Sequence, residues 1–600
     1  MCGIAGLLGR SADGFVERVR PHLDHRGPDD SGLWRDDSAC LVHTRLAILD
    51  LSAAGHQPMV STCGRWCLVF NGEIYNHQEL RQQLLKAGER FHGNGDTEVL
   101  LAWMIRYGIE GLRDLRGMYA FCLYDTVERR ALLARDPHGI KPLYYWHGAA
   151  GELVFASELR ALLASDLMPC RLDQAALAGF LSAGSVAEPA TLVERVFRLP
   201  AGAVAQWDAG SLRIHSFGPL PESLPAPSGD WTPARAGALA RSALEDSVAA
   251  HMVSDVRVGL FLSGGLDSAA ILALAPRGLH TFTIGFDDVG AAGFDESEPA
   301  ARISAHFGGV HTLLKLSSSQ ARDWLPEFLA SQDQPSLDGY NTWCVSRLAH
   351  EQGLKVALSG LGGDELFGGY PSFRMVPRLR RWRRRLGPAG PVGAAVMRRG
   401  PGGHQHRRQR LADLLESPAS MARAYRCVRS LFTSREVNQL LTHWGLQSES
   451  AGAGTALQEP PPGSDRDEVA WLEGTRYLRN QLLPDSDVMA MAAALELRLP
   501  FVDARLQTAL APIPASLRLA PGKGLLQQAV PELPEWFRQR PKQGFRFPFQ
   551  LWLDDPSSRL TLRLPGTPAG LDLAPWYRRW SLMVLEQWLR QHLAIELPLS

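Results

Sequence analysis

LFLSGGLDSAAIL (260–272) runs from an apolar stretch through Ser-Gly-Gly into a segment with helical period, and its reading decides the fold of the chain around it. A buried strand, a glycine-rich turn and a helix, in that order, signal a parallel α/β sheet. The glycines leave backbone N–H groups free to point into one concavity, and the helix behind them adds positive potential, so the turn favours a phosphate. The Lys-Ser/Thr pair of a Walker loop is missing. A tight strand-to-helix turn with no ligand is the plain alternative, and SGG alone does not decide between them.

Upstream, ARAGALARSALEDSVAAHM (234–252) has helical period and leads into VRVGLFL (256–262). Before it, GPLPESLPAPSGDWTP (218–233) concentrates Pro, Gly and Ser without periodicity, as a linker does. The first 215 residues read differently, as short β-type runs such as WCLVF (66–70), MYAFCLYD (118–125) and ELVFASE (152–158) between Gly/Asp turns. The expected organisation is therefore a layered-sheet domain over 1–215, a linker over 216–233 and a parallel-sheet domain over 234–600. Within the last, residues 374–410 hold twelve arginines and no acidic residue. A nucleic-acid arm or a membrane-surface helix would have this composition, but the position inside the parallel-sheet domain favours a solvated, partly mobile insertion.

At 600 residues, with 45% hydrophobic and 21% charged, the chain has enough material for two to four domains. Lys+Arg and Asp+Glu both number 63, so global charge argues for neither a nucleic acid nor an acidic membrane as partner. There is no apolar run of about 18 residues and no basic-then-apolar start, so no integral membrane segment is expected and the reading is cytoplasmic. The eight cysteines (2, 40, 63, 67, 122, 170, 344, 427) form no paired sets with metal-ligand spacing, so structural zinc is not expected.

The chain opens MCGIAG. Removal of Met1 would leave Cys2 with a thiol and a free α-amine, and an amine with pKa near ~7.7–8.0 can take the proton of its own thiol. A buried, inert cysteine starting a strand is the competing reading. Four further pieces decide: DHRGPDDSG (24–32), HTRLAILD (43–50), NGEIYNH (71–77) and GDTE (95–98). Together with the amino-terminal Cys-Gly-Ile they resemble the glutaminase domain of class II glutamine amidotransferases over about residues 2–200. The resemblance implies the N-terminal-nucleophile (Ntn hydrolase) fold, an αββα sandwich. It implies Cys2 as nucleophile, the Asn71 side chain and Gly72 N–H as oxyanion donors, Arg45 on the glutamine carboxylate and Asp96 on its ammonium. It also sets the backbone of Arg45, Leu46, Ala47, Ile48 and Leu49, with Glu73, around glutamine. The physics agrees, since a tetrahedral oxyanion needs preorganised donors and a carboxylate suits a bidentate arginine.

SGGLDS matches the pyrophosphate loop of ATP pyrophosphatases. With FTIGF (282–286), ALSGLGGDELFGGY (357–370), DVMAMAAALELRLPFVD (487–503), KGLLQQA (523–529) and RPKQGFRFP (540–548), it resembles the synthetase domain of glutamine-dependent asparagine synthetases. That implies a second fold, an adenine-nucleotide α-hydrolase-like parallel sheet, making the whole chain α/β and α+β. It implies ATP bordered by Leu262, Ser263, Gly264, Gly265, Leu266, Asp267, Ser268, Ile284, Ser359 and Gly360. Mg²⁺ would be held by Asp267 and Asp364, matching that ion's preference for hard oxygen ligands, and Lys542 would stabilise charge during adenylation.

The implied reaction releases ammonia from glutamine at Cys2 and passes it through a shielded route to an acyl-adenylate, giving an amide, AMP and pyrophosphate. All partners would be small molecules: glutamine, ATP and a carboxylate such as aspartate. The resemblance leaves room for a homodimer. In aspartate enzymes the second loop usually reads SGE, whereas here Leu361 makes it SGL, and QDQPSLDGYNTW (332–343) also departs from the pattern. The acceptor therefore stands between aspartate and another carboxylate from polysaccharide or natural-product biosynthesis. An intact Cys2 site argues against a ring-closing enzyme with an internal amine, and complete motifs argue against a silent binding protein.

Overall fold

A computed structural model describes residues 2–218, 228–286, 296–399, 405–447, 457–540, 547, 549–554 and 562–598. Two six-stranded sheets build the first part of the chain, and every pairing in them is antiparallel. The first runs Val196–Arg198, Tyr144–His147, Leu153–Ala156, Gly3–Leu8, Ala39–Arg45, Asp30–Arg35 from edge to edge. The second runs Ser211–Ser216, Ala203–Asp208, Arg130–Arg135, Gly117–Asp125, Trp66–Ile74, Met59–Val60. Period-two alternation sorts the side chains: Ile4, Leu8 and Leu41 from one sheet meet Val69, Cys122 and Leu133 from the other in the layer between them. The outer face of the second sheet buries Phe70, Tyr119 and Phe121 against helices His77–Lys86 and Asp96–Tyr107. This is the expected αββα sandwich.

The outer face of the first sheet is covered differently. Ala5, Leu7 and Val42 pack with helices Leu159–Ala164 and Gln174–Ala183, and also with Leu582, Leu585, Trp588 and Leu589 of helix Trp576–Leu593, near the far end of the chain. Trp588 fixes that docking by donating its indole N–H to the Asp333 carbonyl at 3.1 Å.

The third sheet is wholly parallel, in the order Val310–Leu316, His280–Phe286, Val258–Phe261, Val356–Leu358, Glu496–Arg498. From Val258–Phe261 the chain winds first to one side and later to the other, which makes the carboxyl ends of Val258–Phe261 and Val356–Leu358 the topological switch point where open α/β sheets bind ligands. SGGLDS and Ser359 follow those two strands. Half of the proposed linker, 219–227, lies outside the described residues, between the strand ending at Ser216 and the helix Pro233–His251.

The arginine-rich segment differs from the expected solvated insertion. It is built into helices Ser372–Leu386, Gly390–Arg399 and Gln405–Glu416, with Phe373, Val376, Ala394, Ala412 and Leu415 buried. Its acid partners come from outside it: Asp465 and Glu468 pair with Arg380, and Glu416 with Arg398. Among the described residues no helix is long and apolar enough to cross a membrane.

Candidate active sites and the segment between them

Cys2 precedes the strand Gly3–Leu8 in the first sheet, and Asn71 and Gly72 sit on Trp66–Ile74 in the second, so the sandwich brings all three together. The Cys2 backbone N–H donates to Asn71 Oδ1 at 3.1 Å. That bond fixes the amide and leaves Asn71 Nδ2 buried with no hydrogen-bond partner, a donor held ready at a cost. Gly72 has φ 154°, and a Cβ there would lie 2.1 Å from the Met118 carbonyl oxygen, so only glycine lets the neighbouring strand approach. Burial pushes the Cys2 thiol up, while the Leu46 N–H and the Arg45 charge pull against it. A thiol raised by burial needs a base, which a free α-amine on the same residue would supply.

Arg45 is fixed by carbonyls, donating to Ser52 at 3.1 Å and to Asp50. Asp96 accepts from the Ile74 N–H at 2.8 Å, and burial raises its pKa. The side chains of Leu46 and Ile48 belong to the core of the parallel-sheet half, while the Leu46 N–H faces the Cys2 thiol. Ile48 also accepts, through its carbonyl, from Asp255 N–H at 3.0 Å.

In the SGGLDS loop, Ser263 Oγ and Ser268 Oγ lie 3.1 Å apart, and the helix Leu266–Leu274 starts without a side-chain cap, leaving its first N–H groups for a ligand. Leu262 donates its N–H to Phe282 at 2.9 Å, and Ile284 is buried on the adjacent strand. The second loop lies directly on the first: a Cβ at Gly360 would fall 2.9 Å from Asp267 Cβ and from the Ser268 nitrogen. This contact brings Asp364 toward Asp267. Lys523 joins them, its Nζ 2.6 Å from Asp364 Oδ1 and bonded to Asp267 Oδ2. Lys523 is 4% exposed and holds φ 58°, a left-handed conformation uncommon for a residue other than glycine. Lys542 lies outside the described residues.

Leu361 packs against the apolar core of this half. Glu365 does not replace the missing acid: it accepts from Tyr370 Oη at 2.9 Å, and burial, with Asp364 beside it, raises its pKa to about 8.

Asp487 to Arg498 connects the two places. Arg26, fully buried, donates to the Cys2 carbonyl at 3.1 Å, to Glu158 at 2.8 Å and to Asp487 at 2.8 Å; Lys141 reaches Asp487 at 3.2 Å. Eleven residues on, Arg498 stands 3.4 Å from Glu73 and bonds Glu496 at 2.5 Å, while its carbonyl accepts from the Ser359 N–H at 2.9 Å. Glu496 keeps a lowered pKa despite burial because Arg498 lies against it. One segment thus touches the residues around Cys2 and the loop that follows the phosphate turn. Sequence reasoning quoted this segment and KGLLQQA but assigned no role to Arg26, Asp487, Glu496, Arg498 or Lys523.

Comparison with known proteins agrees with this two-site arrangement. Residues 1–218 match the glutamine amidotransferase domain family, and residues 239–569 match asparagine synthase. A Bacillus subtilis protein named asparagine synthetase [glutamine-hydrolyzing] 1 is 32% identical over 575 residues, covering 92% of this chain and 88% of its own. A Mycobacterium tuberculosis protein provisionally given the same enzyme name is 35% identical over 594 residues, covering 92% and 86%. Escherichia coli asparagine synthetase B is 32% identical over 409 residues, covering 63% and 66%. With one domain model spanning over half the chain and full-length relatives above 30% identity, the chain belongs to the asparagine synthase family, with a glutamine amidotransferase domain ahead of the synthase domain.

Proposed function

We propose that the chain hydrolyses glutamine at Cys2 and uses the ammonia to amidate a carboxylate activated by ATP. L-aspartate is the acceptor, and L-asparagine, glutamate, AMP and pyrophosphate are the products. Such a reaction makes it a carbon–nitrogen ligase. The observation that carries the reading is the Asp487–Arg498 segment, which bonds to the surroundings of Cys2 at one end and to Ser359 at the other. Ammonia in bulk water protonates to a non-nucleophile, so a synthetase fed by glutamine needs its two sites joined through protein.

At the first site Cys2 attacks the glutamine amide, its proton passing to the α-amine. Asn71 Nδ2 and the Gly72 N–H stabilise the oxyanion, while Arg45 and Asp96 hold the substrate's carboxylate and ammonium. At the second, the N–H groups of SGGLDS bind phosphate oxygens and Lys523, with Lys542, offsets the charge that develops as pyrophosphate leaves. Asp267 and Asp364 offer hard carboxylate oxygens from facing loops, a donor set that fits Mg²⁺ beside phosphate; the ion would supply charge neutralisation there. The acceptor carboxylate attacks the α-phosphorus, and ammonia then displaces AMP from the acyl group.

The test is product analysis with glutamine, ATP and aspartate. AMP, pyrophosphate and asparagine are expected; ADP and phosphate would sink the adenylate, and AMP formed only with other carboxylates would sink aspartate. Leu361→Glu assayed alongside shows whether a leucine there limits aspartate turnover.

A further inference from the structure

The arginine-rich helix Ser372–Leu386 takes no part in either site. Phe373 and Val376 face the protein. On the opposite side Arg374, Arg378, Arg381 and Arg385 follow one another at i, i+4, i+7 and i+11, all exposed and therefore in one stripe. Arg381 shares Asp465 with Arg380. Arg374, Arg378 and Arg385 have no acidic partner among the described residues, nor has the exposed Arg384. Such a stripe on a chain with 63 acidic and 63 basic side chains is a local field rather than a share of an overall charge.

Large apolar side chains border the stripe instead of sinking into the core. Met375 is 47% exposed and Trp382 is 37% exposed, one heptad apart on the same flank of the helix. The next helix, Gly390–Arg399, buries Ala394 and turns outward Val392 at 69% and Val396 at 67% exposure, one helical turn apart. Phosphate backbones of nucleic acids would engage the arginines but give exposed valines and methionine nothing to contact. A bilayer surface engages both: anionic headgroups meet the arginines, and Trp, Met and Val enter the interfacial layer.

We propose that the exposed faces of these two helices dock the enzyme reversibly on an anionic lipid bilayer. The arginines set the affinity and its salt dependence, and the apolar side chains add a salt-independent part. Nothing crosses the bilayer, and neither catalytic site is covered by residues of this surface.

The experiment is co-sedimentation of the full chain with sucrose-loaded vesicles of phosphatidylcholine alone or mixed equally with phosphatidylglycerol. Binding is expected to the mixed vesicles at low salt, weakening as salt rises through about 0.5 M, and not to phosphatidylcholine alone. Arg374→Gln/Arg378→Gln/Arg385→Gln should bind about a hundredfold more weakly, at about fivefold per arginine, with glutamine-dependent synthesis in free solution unchanged. Trp382→Ser should bind a few-fold more weakly with the same salt slope. Absence of binding to the mixed vesicles, equal binding to neutral ones, or an undiminished triple variant would overturn the proposal. So would release of the native chain by tRNA at equal phosphate, which would make the stripe a nucleic-acid surface.

Discussion

Around Cys2 the groups suited to a reacting glutamine are held by backbone, whereas around Asp267 charges are held by other charges. Asn71 is fixed by a main-chain N–H, Arg45 by carbonyls and Asp96 by the Ile74 N–H. The anchors of Asn71 and Asp96 lie on or beside the antiparallel sheets and those of Arg45 in the loop after Ala39–Arg45, and none depends on a ligand. Asp267, Asp364 and Lys523 instead balance one another across loops and a helix start, so a phosphate or a cation arriving there must redistribute their pairing. The first group is held by hydrogen bonds to backbone; the second is held by charge pairing.

The sharpest break between them is Cys2→Ala against Asp364→Asn. Cys2→Ala should lower glutamine-dependent amide formation by at least about 10³-fold and leave ammonia-dependent formation intact, while Asp364→Asn should lose both, measured as AMP release with each nitrogen source. Equal losses in Cys2→Ala would merge the two sites. Asp487→Asn comes next: it takes the carboxylate from between the buried Arg26 and Lys141, which should cost about 3–5 kcal/mol of stability, read from denaturant midpoints. It should also raise glutamine hydrolysed per amide formed, since it weakens one of the buried contacts between the halves.

Asn71→Ala should lower glutaminase turnover by about 10²–10³-fold and spare ammonia-dependent synthesis; an unchanged rate would remove Asn71 from the oxyanion role. The smallest effect concerns Glu365. Its folded pKa of about 8 exceeds the unfolded value near ~4.3, so the folded state binds the extra proton and native stability falls as pH rises from about 4 to 8. Glu365→Gln lacks that term, and its unfolding free energy, read from denaturant midpoints, should gain on that of the native chain between pH 5 and pH 8. A gap that shrinks with rising pH would show that the carboxyl is ionised.

The contiguous loops were legible in the sequence, because SGGLDS, NGE and the amino-terminal cysteine keep their polar groups within a few residues. The parallel sheet followed from the strand-turn-helix order and the layered sheet from short β-type runs, whereas the αββα arrangement came with the family resemblance. Arg26 was not legible: its partner Asp487 is 461 residues away, and a lone arginine in DHRGP reads as turn polarity. Lys523 opens a short helix, where a lysine normally reads as a solvated face, and only the left-handed backbone and two distant aspartates distinguish it. Glu496 and Arg498 look like charges on an edge strand until the facing domain is present. The arginine-rich segment misled for a related reason, since its acids, Asp465 and Glu468, lie more than eighty residues downstream.

Helix Trp576–Leu593 closes the outer face of the sheet that holds the strand following Cys2. During synthesis on a ribosome, the residues of the first half emerge first, yet the apolar face formed by Ala5, Leu7 and Val42 waits for Leu582, Leu585, Trp588 and Leu589, more than 500 residues further along the chain. A chain broken off before that helix would carry Cys2 beside a sheet with part of one side bare, prey to aggregation and proteolysis. Completion of the glutamine-cleaving half is thereby tied to completion of the half that consumes its ammonia.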